Sequence, residues 1–179
     1  TPSQLKNFTF HLSNQLNQPY LKKSTFVSWA DIFQFLTDSV FSQPQKWIFA
    51  LDELQWMSCG QIKLINQIKT YWDQHWKKQG VLLILCGSVA HFMVKKVIHS
   101  KSLYGRIDSE LLIGPLMPPE IAQLLKGRGQ QEILKYLIVF GGVPKYYDVL
   151  RKNQSFEKNM NTLCFQKGGF FVNQLQMSW

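Results

Sequence analysis

The sequence predicts an α/β protein in which an incomplete parallel sheet is followed by a small α-helical subdomain, on three observations. Trp47–Leu51 (WIFAL) and Val81–Cys86 (VLLILC) are short and nearly continuously apolar, the pattern of strands buried on both faces of a parallel sheet. Between them, Gln61 to Lys78 has helical periodicity and is long enough to form a right-handed parallel crossover. After Gly114, Pro115, Pro118 and Pro119 the apolar residues keep helical spacing with no strand between them. The expected domains are therefore residues 1–116 and 117–179.

Taken in order, Leu5, Phe8, Leu12 and Leu16 predict a first helix, which the Asn17–Lys23 stretch with Pro19 interrupts. Ser28 is placed to cap a second helix whose stripe is Trp29, Ile32, Phe33, Leu36 and Val40. Pro44 closes that connection, and the first strand follows. Ser58–Gly60 reads as a turn; Ile65, Ile68, Trp72 and Trp76 then line one side of the crossover helix, with Lys69, Asp73, Lys77 and Lys78 outside. Gly80 stops it. Beyond the second strand, Val89–Ile98 reads as a helix and Leu111–Ile113 as a third short strand. Ile121–Leu125, Ile133–Phe140 and Tyr146–Leu150 read as helices, Gly141 to Pro144 as the turn joining two of them, and Ser155–Trp179 as one more helix with a weakly patterned end.

The chain has 179 residues, 45% hydrophobic and 17% charged, enough for one sizeable domain with a core or a domain with a small appendage. Its 20 Lys and Arg against 11 Asp and Glu give a net charge of +9, which favours polyanionic company without choosing among nucleotide, nucleic acid and an acidic protein. Cys59, Cys86 and Cys164 are too few and too irregularly spaced for a disulfide framework or a zinc site, and they suggest a reducing, cytoplasmic setting. No apolar run approaches the ~20 residues that span a bilayer, and TPSQLKN lacks secretory features, so no membrane is expected.

The chemistry concentrates at Asp52 and Glu53, which the first strand delivers to its carboxyl end, where open parallel sheets place ligands. Such a pair suits phosphate chemistry: one carboxylate can hold Mg²⁺ and the other can orient or deprotonate a water. The competing account is two acids in the first turn of a helix. Ser88 should emerge at the same edge, one strand away at about 4.8 Å. Its alternative role is to cap the helix that begins at Val89.

In this order the pieces resemble the archaeal/prokaryotic ATPase family of P-loop AAA+ and STAND-like NTPases. KWIFALDELQW resembles Walker B, LLILCGS the sensor 1 strand, SLYGR a family loop and GGVPKYY part of the helical lid, with SWADIFQFL before Walker B; the match covers about residues 24–150. The resemblance implies an incomplete P-loop NTPase core with a lid, ATP and Mg²⁺ as ligands, and ATP hydrolysis. Asp52 would serve the metal, Glu53 the water, and Ser88 the terminal phosphate. Arg106 would meet transition-state charge, in competition with a surface ion pair to Asp108 or Glu110. Gly142 and Pro144 would approach the nucleotide base, in competition with a plain helix connector.

No GxxxxGK[ST] loop occurs in the sequence, and without its backbone cradle and lysine a P-loop NTPase loses most of its hold on triphosphate. The loop is expected upstream of Thr1, making this chain a fragment inactive alone. A homo-oligomer, and a basic surface for DNA or a protein partner, are further expectations. Two rival classes remain: a nucleic-acid-binding module using Lys22-Lys23, Lys77-Lys78 and Lys95-Lys96, with Trp72 and Trp76 as stacking surface, and a non-hydrolysing interaction domain.

Overall fold

The computed structural model describes residues 2–59 and 62–177. The chain divides into two compact units, Thr1–Glu110 and Leu111–Trp179, each with its own hydrophobic core.

The first unit opens with helix α1 (Pro2–Gln15), which buries Leu5 and Leu12, and a 3-10 turn at Pro19–Lys23 follows it. Helix α2 (Trp29–Phe35) begins at a capping box: Ser28 Oγ accepts from Asp31 N at 3.2 Å, and Asp31 Oδ2 accepts from Ser28 N at 2.9 Å. It widens into a π turn over Leu36–Val40 before strand β1 (Trp47–Leu51). A short helix α3 (Leu54–Met57) and the crossover helix α4 (Lys63–Tyr71, extended by a π turn to Trp76) lead to strand β2 (Val81–Leu85). Helix α5 (Ala90–Phe92, extended to Ile98) completes the unit.

β1 and β2 pair in parallel with Trp47 opposite Val81 and Leu51 opposite Leu85. They form a two-stranded sheet in an otherwise mostly helical chain. Trp76 anchors the inner face. Its ring meets Phe33, Phe41 and Phe49 edge-on at 5.2, 5.9 and 5.4 Å, and its Nε1 donates to Thr37 Oγ1 at 2.8 Å, so the buried indole is satisfied. Trp76 is therefore core, and with Trp72 packed against the same cluster the stacking surface for nucleic acid loses its aromatic half.

The strands are not buried on both faces. Phe49, Leu51 and Val81 point into the core, while Ile48 is 69% and Leu82 56% exposed on the other side with Ile84 and Ala50. Alternation makes the reason plain: the unit's helices share one core on one face, and none of the unit's described residues covers the other.

The expected third strand does not form: Leu111–Ile113 has no regular secondary structure and no ladder partner, and Leu112 is 91% exposed. A strand is defined by its partner, and no sheet edge receives this one.

In the second unit, α6 (Pro118–Leu124), α7 (Gln130–Phe140), α8 (Pro144–Asp148), α9 (Phe156–Met160, extended to Phe165) and α10 (Phe170–Met177) follow one another. The tail is thus two helices rather than one. The stack of Phe171 on Phe140, with centroids 4.8 Å apart, brings α10 onto the core; the glutamines and asparagines that blurred its pattern do not prevent this.

Candidate functional site

The register of the sheet brings the carboxyl ends of β1 and β2 side by side, and three predicted site residues meet there. Cys86 N donates to Leu51 O at 2.8 Å and Leu54 N to Cys86 O at 3.0 Å, which extends the pairing one step beyond the strands. Asp52 and Glu53 leave β1 at this point, and Ser88 leaves β2. Ser88 Oγ donates to Glu53 Oε2 at 3.0 Å.

Glu53 occupies the left-handed region, with φ 53° and ψ 43°. For a residue with a Cβ that conformation costs about 1–2 kcal/mol. The turn is held by Asp52, whose Oδ1 accepts from Glu53 N at 2.8 Å. Glu53 does stand at the N-cap position of α3, but its side chain makes no cap; the carboxylate turns to Ser88 instead. Ser88 likewise does not cap α5, whose N-cap is Val89 with no side-chain hydrogen bond. For both residues the local helix-capping account gives way to a contact between the strand ends.

A residue the sequence did not single out completes the cluster. Gln55, on α3, is buried, and its Nε2 donates to Ser88 Oγ at 3.0 Å and to Glu53 Oε2. Reversing the amide would set its carbonyl oxygen against the carboxylate, so the network fixes its orientation. Gly87 makes room for it: a Cβ there would lie 2.5 Å from Gln55 Oε1 and 2.7 Å from Met93 Sδ. A four-residue helix is too short to display periodicity, which is why DELQW did not betray a buried glutamine.

Asp52, Glu53 and Ser88 are exposed, so the cluster lies open to solvent. Two shallow depressions on the described surface, one around Phe41–Lys46 and one around Gly127–Glu157, include none of them. Among the described residues there is no group of three or more His, Cys, Asp and Glu side chains fit to hold a metal by themselves. Asp52 fits the narrower task of a magnesium site that takes one protein carboxylate and completes its shell with water and substrate phosphates.

Arg106 is engaged elsewhere. Its Nε and a terminal nitrogen bond Asp73 Oδ1 and Oδ2 at 2.7 and 2.8 Å, and its other nitrogen donates to Tyr104 O at 3.0 Å. The ion-pair partner is Asp73 on the π turn of α4, rather than Asp108 or Glu110. The hydrogen bond from Arg106 is the main cause holding the Asp73 carboxyl below its ordinary value. α4 runs back against the strand direction, so Asp73, one turn before Trp76, lies away from the carboxyl ends where Glu53 sits.

Gly142 and Pro144 belong to the second unit. Gly142 O accepts from Leu116 N at 2.8 Å, and a Cβ at Gly142 would fall 2.5 Å from Leu116 O. Its close approach is to its own chain, and Pro144 opens α8 at a position where its fixed φ suits a helix start. The described residues include no helix long and apolar enough to cross a membrane.

In comparisons with protein-family models, curated proteins and solved structures, nothing matches this chain.

Proposed function

We propose that the chain carries the Walker B, sensor 1 and lid portions of an ATP-binding, ATP-hydrolysing switch of the AAA+/STAND-like type, with ATP and Mg²⁺ as ligands. The observation that carries this proposal is the hydrogen bond between Ser88 and Glu53 across the carboxyl ends of two parallel strands, with Asp52 beside it. A carboxylate next to a hydroxyl at that edge can accept a proton from an attacking water while the hydroxyl donates to a phosphate oxygen. Asp52 would hold the magnesium, whose charge offsets that of the phosphates. Asp73 occupies Arg106, so Arg106 takes no part in this minimal scheme unless that pair opens.

The sequence has no loop able to cradle a triphosphate, and the sheet leaves one apolar face bare. A longer protein whose preceding residues supply a glycine-rich lysine loop would answer the first, and the strand and helix that flank such a loop would answer the second. We expect phosphate release from ATP by such a protein and none by residues 1–179 alone. Turnover by the short chain would refute the division of labour. In the longer protein, Glu53→Gln should retain magnesium-dependent ATP binding and lower kcat by about 100-fold or more, the scale of a lost general base. Undiminished turnover would remove Glu53 from the mechanism.

A further inference from the structure

We propose that Gln55 is a positioning residue for the Glu53–Ser88 pair, holding the carboxylate in place while leaving one of its oxygens open to water. The chemistry of this role rests on the ATPase proposal; the geometry does not.

Three features single Gln55 out. It is only 8% exposed, so its amide is a buried polar group that must be accounted for. Both of its donor contacts go to the cluster, Nε2 to Glu53 Oε2 and to Ser88 Oγ. Its Oε1 is buried without a hydrogen-bond partner. An unpaired buried carbonyl costs about 1–3 kcal/mol, a penalty that an apolar side chain of the same length would avoid. The amide's hydrogen bonds to Glu53 and Ser88 offset that cost, so stability on balance does not favour glutamine over an apolar residue. What the amide contributes, and a methionine would not, is its two hydrogen bonds.

Counting protons shows what those bonds do. Glu53 Oε2 receives one hydrogen from Gln55 and one from Ser88, while Ser88 Oγ receives the second hydrogen of Gln55. Every donor in the triangle is used, and both bonds to Glu53 fall on Oε2, so Oε1 is the oxygen left to accept from water. Ser88 has a single hydrogen. To donate it to a phosphate oxygen it must release Glu53, and Gln55 then remains as the contact that keeps the carboxylate from swinging into solvent. Gly87 keeps the space beside the Gln55 carbonyl oxygen clear, so that the amide can take this orientation.

The test uses the 179-residue chain and a longer active protein in parallel. In ¹⁵N-labelled 1–179, the two Gln55 side-chain amide protons should resonate apart from those of exposed glutamines, and Ser88→Ala and Glu53→Ala should each move them. Signals at the exposed-glutamine position, or unmoved by both substitutions, overturn the proposal. Gln55→Met should move the thermal midpoint little, because the lost hydrogen bonds and the relieved unpaired carbonyl are of similar size; a large fall would mean that the amide serves packing, and overturns it too. In the longer protein, Gln55→Met should lower kcat about 10- to 100-fold, the scale of a misplaced reacting group, while KM for ATP stays within about twofold. Unchanged kcat overturns the role in turnover. If the longer protein with Gln55 intact shows no turnover, the ATPase proposal fails, and the Gln55 spectra alone decide whether the amide positions the pair.

Discussion

Two glycines that would admit no larger residue show how differently the same sequence letter can be used. At Gly142 a Cβ would meet backbone on one side, Leu116 O at 2.5 Å and Leu116 N at 2.7 Å, with Pro115 Cβ at 2.6 Å. Backbone cannot step aside. Gly142→Ala should therefore destabilise the second unit by about 1–3 kcal/mol, the range for overpacking a filled site, and urea unfolding followed through that unit would show it. At Gly87 the obstructing atoms are the ends of two flexible side chains, so Gly87→Ala should cost less stability while disturbing Gln55. The sequence marks both positions as glycine, but only the neighbours reveal that one clamps a connector and the other clears space for the Gln55 amide and the Met93 thioether. That Asp52, Glu53 and Ser88 emerge together at one sheet edge was legible, because the two apolar runs and the crossover between them fix where each strand ends. Gln55 was not, because its burial depends on β2 arriving beside α3.

For whole elements, the strand segments were legible and their surroundings were not. Trp47–Leu51 and Val81–Leu85 form where the apolar runs predict, and Gly80, at φ 70°, turns the chain between α4 and β2. Continuous hydrophobicity implied cover on both faces, yet one face of the sheet is open. This asymmetry sets an expectation for mutants. Leu51→Ala, on the buried face, should cost about 2–5 kcal/mol, whereas Leu82→Lys should change stability by no more than ~0.5 kcal/mol and reduce self-association measured by light scattering. Equal losses from both would contradict the one-sided core. Leu111–Ile113 has the residues of a strand but no neighbour to pair with, which no local pattern could foretell. Asn159 makes a related point in the second unit. Its side chain bonds Arg151 N and O, Gln154 O and Tyr136 Oη, tying a loop to two helices through a residue whose letter suggests only a surface turn.

At the scale of the whole molecule, electrostatics link the pieces of the first unit. Asp73 pairs with Arg106 from the loop after α5 and with Lys69 one turn back on α4, at 2.7 and 3.3 Å. The Asp73 carboxyl is lowered from its ordinary value of 3.8, chiefly by the hydrogen bond from Arg106 and against a smaller effect of burial. A carboxylate depressed in the folded state contributes stability that is fully present above 3.8 and is lost as pH falls through the lower folded value. Urea unfolding should accordingly show Asp73→Asn less stable than the parent at about pH 7, with the gap narrowing towards about pH 3. A gap independent of pH would mean that charge is not its source. The net charge of +9 acts over the same scale but favours any polyanion, and it gives the site no selectivity.

By itself, the sequence determined most of the helices, though not Leu54–Met57 or the second helix of the tail, together with the two strand segments and the edge at which two acids and a hydroxyl emerge, because apolar periodicity and capping act within a few residues. Tertiary structure alone decided that Arg106 answers Asp73, that Gly142 closes on Leu116, that one sheet face stands bare, and that Gln55 joins Glu53 to Ser88. Each of these outcomes depends on which distant segment arrives alongside, and local sequence carries no record of that arrival.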